Sequence, residues 1–85
     1  VYPSPFNSST KIIFTLKEGS EATLTVHDLL GKEIETLAKG RFPVGRYEFP
    51  WNASLFAGGL YIITLKWTNS QGMKERHSRK VLYLK

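Results

Sequence analysis

The feature that most limits this chain is a side-chain rhythm of two, carried by short runs and broken by turn residues. Ile12, Phe14 and Leu16 alternate with Lys11, Ile13 and Thr15, and Ala22, Leu24 and Val26 alternate with Thr23, Thr25 and His27. Tyr47, Phe49 and Trp51 alternate with Arg46, Glu48 and Pro50, and Tyr61, Ile63, Leu65 and Trp67 share one phase of the longest run, Gly59 to Trp67. Successive side chains of a strand point to opposite faces, so each run can bury one face and leave the other in water. No segment offers a convincing helical period in its place.

The breaks have their own chemistry. "EGSE" is a turn, and so is "DLLG", where Asp28 is placed to bond back to the backbone and Gly31 suits a positive φ. Glu33 to Leu37 is a weaker third strand, and "KGRFPVG" is expected to be a loop. "NASLFAGG" is a connection with room for one helical turn, "TNSQG" is a hairpin turn, and Met73 to Leu84 is a last strand with untidy alternation. Residues 1–9 carry two prolines and predict an extended linker or edge segment; residues 10–85 then form one domain. Six or seven short strands without a helix predict an all-β sandwich, two sheets facing each other across a shared core.

At 85 residues the domain buries only about 60–65% of its unfolded surface, so packing has to be efficient. There is no cysteine, which excludes a disulfide scaffold, thiol chemistry and a Cys-based zinc site. No stretch approaches the roughly 20 apolar residues of a membrane-spanning helix. The first residue is Val1 rather than Met, which leads us to expect a piece of a longer protein.

No reaction is expected of this chain: no catalytic residue, no metal ligand and no cofactor. Asp28 lies in a turn, while Glu33, Glu35 and Glu48 fall on outward strand positions, so no carboxylate pair suggests general acid–base work. His27 sits on the polar phase of its strand, and two histidines without a carboxylate cluster make a poor metal site. "GRFPVGRY" has the glycine spacing of a phosphate loop, but Arg46-Tyr47 stands where Lys-Ser/Thr is needed and no helix follows. No serine lies in a G-x-S-x-G turn.

The aromatic residues favour a core. Trp51 is in step with Tyr47 and Phe49, and Trp67 with Tyr61, Ile63 and Leu65, so both are expected inside rather than on a sugar-stacking platform. Leu29 and Leu30, at a turn tip, are expected to fold back over the open end of the sandwich. Net charge is +5, and Lys74, Arg76, Arg79, Lys80 and Lys85 against Glu75 place +4 of it from Gly72 to Lys85. Those cations lack an aromatic platform, so no nucleic-acid partner is expected.

Five stretches occur together and in order: "YPSPFNSSTKIIFTL", "LTVHDLLGKEIETL", "FPVGRYEFPWNAS", "GGLYIITLK" and "RKVLYLK". The set resembles the C-terminal sorting domain of the type IX secretion system over essentially the whole chain. "DLLGKE" alone is also similar to the immunoglobulin-like domain of flagellar hook-capping proteins; the lysine-bearing last strand fits the sorting domain better. Ser4 and Ser8 stand where that family usually has Asn and Pro, and His27 where Tyr is common.

The resemblance implies an immunoglobulin-like antiparallel β-sandwich without enzymatic activity. It implies a place at the end of a larger exported protein, such as a hydrolase or adhesin, that passes through the periplasm of a Gram-negative bacterium. The implied partners are the outer-membrane secretion machinery and a sortase-like protease that removes the domain. Carried over by position, the motif residues are Pro43, Gly45 and Tyr47, then Gly59 and Tyr61, then Lys80, Val81 and Lys85. The first five are expected to keep the fold, the last three to be recognised by a receptor. An address at an accessible chain end would account for a basic strand finishing at Lys85. An unsheltered edge strand there also invites pairing into a dimer. The alternative is a carbohydrate-binding or spacer module attached to a secreted glycoside hydrolase.

Overall fold

A computed structural model describes residues 9–84, and its regular structure is entirely strand. The strands are β1 (Ser9–Leu16), β2 (Ser20–His27), β3 (Glu33–Phe42), β4 (Gly45–Asn52), β5 (Gly59–Thr68) and β6 (Lys74–Tyr83). They form two sheets, β1–β4 and β3–β2–β5–β6, with every neighbouring pair antiparallel. Ser9 already belongs to β1, while the rest of the expected linker (residues 1–8) and Lys85 lie outside the described residues.

The phases expected to bury do so. Phe14 and Leu16 on β1, Ala22, Leu24 and Val26 on β2, and Tyr61, Ile63 and Leu65 on β5 form one core cluster around Trp51, which is wholly buried. Each large aliphatic side chain removed from water stabilises the fold by about 1.5–3 kcal/mol. Phe14 stacks on Tyr47 and Phe49 at centroid distances of 5.3 and 5.7 Å, and Phe42 meets Phe14 edge-on at 6.1 Å. These rings join β3 to the small sheet and fix where it lies over the large one.

Two strand readings change. β3 continues through Lys39 to Phe42, where a loop was expected, because this stretch pairs fully with β2, Ser20 opposite Phe42 and Ala22 opposite Gly40. Its polar and glycine composition hides the strand, since here only Phe42 supplies a large apolar side chain to the core. The second change follows from register shifts between Leu24 and Thr25 and between Val26 and His27. A one-residue slip sends a side chain to the opposite face. Glu35 therefore sits opposite buried Val26, half-buried rather than outward, and its Oε1 accepts a 3.2 Å hydrogen bond from Trp51 Nε1.

Two hairpins of the large sheet use the same device. Asp28 Oδ1 accepts from the backbone N–H of Leu30 and of Lys32, both at 2.9 Å, and Asn69 Oδ1 accepts from Gln71 N and Met73 N at 2.9 and 3.0 Å. Short side chains that mimic a backbone turn favour these positions. Leu29 and Leu30 do not fold back: they are 56% and 95% exposed, held at the hairpin tip by the Asp28 bonds on either side. "NASLFAGG" forms one turn, Phe56 N donating to Ala53 O at 2.9 Å, rather than a helix. Among the described residues no helix is long and apolar enough to cross a membrane.

Candidate functional site

Lys80 and Val81, two of the expected recognition residues, fall on β6, so its surroundings decide what it can do. Its ladder to β5 runs unbroken from Thr68 opposite Lys74 to Gly59 opposite Tyr83. Its other edge pairs with no strand among the described residues. Pairing carries the faces of β5 onto β6: Val81 lies opposite Tyr61, Arg79 opposite Ile63 and His77 opposite Leu65. His77, Arg79, Val81 and Tyr83 thus share the inner phase, and Lys74, Arg76, Ser78, Lys80 and Leu82 the outer one.

The inner phase is covered only at one end. Val81 and Tyr83 join the core at 5% and 3% exposure, while His77 and Arg79 are exposed. The cause is the width of the opposite layer, two strands over four, drawn toward β3 by the Phe14, Phe42, Tyr47 and Phe49 rings. A groove of about 340 Å³ opens on the β6 side, lined by Thr10 to Ile13, by Leu24, Ile63 and Leu65, and by His77, Arg79 and Val81. Four consecutive β1 residues can line one groove only through the backbone edge of the strand, because their side chains alternate. Inward-pointing cations on an edge strand also discourage copies of a sheet from joining edge to edge.

The structure places seven of the eight motif residues, and places them differently from one another. Lys80 is exposed on the outer phase. Val81, one residue on, packs in the core. Lys85 lies outside the described residues. Pro43, Gly45 and Tyr47 come together at the start of β4, where the Tyr47 hydroxyl donates to Pro43 O at 2.6 Å. Gly59 and Tyr61 repeat the arrangement at the start of β5, with the Tyr61 hydroxyl donating to Ala57 O at 2.5 Å. Each tyrosine thus reaches the carbonyl four residues back, and each glycine two residues before it has a φ near +150°, 153° at Gly45 and 151° at Gly59. That backbone region is costly for any residue with a Cβ.

The second corner is the more deeply set. Tyr61 meets Trp51 edge-on at 5.3 Å, and burial, aided by Tyr83 and then Asp28, raises its phenol above the ordinary 10.0. Such a phenol stays protonated and keeps donating at neutral pH. Trp51 is sealed in the core and Trp67 is half-buried, so neither forms an exposed sugar platform. Among the described residues no three of His, Cys, Asp and Glu are grouped to hold a metal ion.

Two features of this region escape a reading of the sequence. Counting back in twos from Val81 and Tyr83 would have put Arg79 and His77 on the inner phase, but their exposure depends on the width of the opposite sheet. The Trp51–Glu35 bond depends on the irregular pairing of β2 with β3.

Comparison with known families now bears on this geometry. The model of the secretion system C-terminal sorting domain matches residues 1–77. The chain belongs to that family. No curated protein matches it. The sorting domain is a non-catalytic signal for type IX secretion, and the protein that bears it is secreted or displayed at the cell surface by way of the periplasm of a Gram-negative bacterium. Its partner is the secretion machinery. The matched stretch includes both tyrosine corners and reaches His77, three residues short of Lys80.

Proposed function

We propose that the sorting domain is read through the exposed, cationic part of β6 together with Lys85, which follows it in the sequence, Lys80 and Lys85 being the contacts to the secretion machinery. The observation that carries this reading is the contrast at Lys80 and Val81: Lys80 is held outward by its buried neighbour, on a strand whose second edge pairs with no strand among the described residues. Val81 then acts by holding the strand to the core. Lys80 is exposed, and a solvated lysine contributes little to folding, so its side chain is free to serve a partner. Pro43, Gly45, Tyr47, Gly59 and Tyr61 keep the fold, two hydroxyl–carbonyl bonds fixing how β4 and β5 begin. Residues 10–85 act as one folded address, joined to a larger protein, and the sortase-like protease acts on the chain outside the sandwich.

Deleting residues 80–85 would remove Val81 and Tyr83 from the core and confound recognition with unfolding. Charge reversal avoids this. A reporter carrying the domain behind a signal peptide, in a host with type IX secretion, should reach the surface; Lys80→Glu with Lys85→Glu should leave it in the periplasm while the domain unfolds at an unchanged temperature. Unchanged surface delivery would overturn the reading.

A further inference from the structure

The +4 of the C-terminal segment is only part of a larger charge pattern that the sheet assembles. Register aligns Lys39, Thr23, Lys66 and Arg76 in one row across β3, β2, β5 and β6, and Arg41, Glu21, Thr68 and Lys74 in the next. Both rows lie on the outer face, because the alternate residues Ala22, Leu24 and Leu65 are in the core. Five cations from three strands thus meet with Glu21 as the one carboxylate in the two rows. Glu75 belongs to the opposite phase, in line with Trp67 and Ala22. Lys39, Arg41, Lys66, Lys74 and Arg76 are all exposed. Among the described residues the ion pair is Arg46–Glu48, on β4 in the other sheet.

The face is also shaped. A shallow hollow of about 370 Å³ runs across all four strands; Lys39, Lys66, Lys74 and Arg76 line it together with Glu21 and Glu75, and Gly40, which has no side chain, lies among them. Neighbouring strands lie about 4.8 Å apart, so Lys66 and Arg76, directly opposite each other, repel. A bound anion relieves that repulsion, whereas folding alone leaves it standing. The residues between the cations are Thr23 and Thr68, hydroxyls that suit carboxylates; neither row contains an apolar residue to enter a lipid layer.

We propose that this outer face docks an acidic, extended protein segment, carboxylates lying among Lys39, Lys66, Lys74 and Arg76. An extended strand presents alternate side chains about 6.8 Å apart, the spacing at which Lys74 and Arg76 follow one another along β6. Lys80 lies on the same face farther along β6, opposite Ile62. The proposal deepens the reading of β6 as an address, giving its partner's chemistry, but it is tested in solution without the secretion system, so the two can fail separately.

The test is fluorescence anisotropy of a labelled octaglutamate peptide titrated with the 85-residue chain at low ionic strength. Saturable binding that weakens with added salt is expected. Lys66→Gln with Arg76→Gln should weaken it at least tenfold, while Lys11→Gln with Arg46→Gln, the same charge removed from the two-stranded sheet, should change it less than twofold. Equal weakening by both pairs, or no saturable binding, overturns the proposal. So does binding to anionic phospholipid vesicles or to an acidic polysaccharide that K66Q/R76Q abolishes while octaglutamate is ignored. Circular dichroism spectra matching the native chain exclude misfolding as the cause of any loss.

Discussion

The two ends of β6 share a backbone partner and differ in everything else. From Lys74 to Lys80 every residue is exposed, whereas Val81 and Tyr83 belong to the core. Both ends bond to β5 in the same continuous ladder, so hydrogen bonding does not separate them. The layer opposite does: the β1–β4 sheet covers Val81 and Tyr83 and leaves His77 and Arg79 open. In this domain the ladder decides where a strand lies, and the facing sheet decides whether it is core or display surface.

The comparison can be broken most forcefully at the covered end. Trp51→Ala empties the site next to Tyr61 and Phe56 and orphans the hydrogen bond to Glu35, so it should cost about 3–5 kcal/mol in urea unfolding. A loss below about 1 kcal/mol would mean that the covered end is not where stability resides. Val81→Ala should cost about 2 kcal/mol. Paired with Lys80→Ala, it measures the contrast between adjacent residues directly.

Tyr61→Phe sharpens the comparison by removing one hydroxyl and leaving the ring. Loss of its bond to Ala57 should cost about 1 kcal/mol. The raised phenol adds a pH signature. The folded state holds that proton more tightly than the unfolded chain, so the contribution is complete below pH 10 and is lost as pH climbs through the folded value. The melting temperature should therefore fall more steeply above pH 10 in the native chain than in Tyr61→Phe; parallel curves would contradict the assignment. The smallest effects belong to the open end. Lys80→Ala and Arg79→Ala should each change stability by less than about 0.5 kcal/mol in the same unfolding assay. A larger cost at Arg79 would show that the groove beside β1 is closed in solution.

Much of the fold was legible in the chain itself. Runs such as Ala22-Leu24-Val26 and Tyr61-Ile63-Leu65 state which face is buried, because a strand has only two faces and apolar residues mark one of them. Asp28 and Asn69 announce their turns, since a short polar side chain can replace a backbone partner wherever it stands. β3 was the least legible strand: Lys39 to Phe42 looks like a loop, and the irregular pairing that turns Glu35 inward has no local mark. Leu29 and Leu30 misled because apolar residues were expected to find cover, while the Asp28 hydrogen bonds hold them away from any.

The proposed address was half legible. The cations of β6 stand in plain view in the sequence, and the ordered motifs point to the family that residues 1–77 match. Whether a lysine is displayed or a valine anchored beside it depends on which strands face each other. The same holds for Lys39, Lys66 and Arg76, which are distant in the chain and become neighbours only through register. Alternation is a local property of strand geometry, so the sequence alone determined that this protein is a β-sandwich and which side chains fill it. Register and the offset of one sheet over the other come from long-range pairing and ring packing, and these the tertiary structure decided.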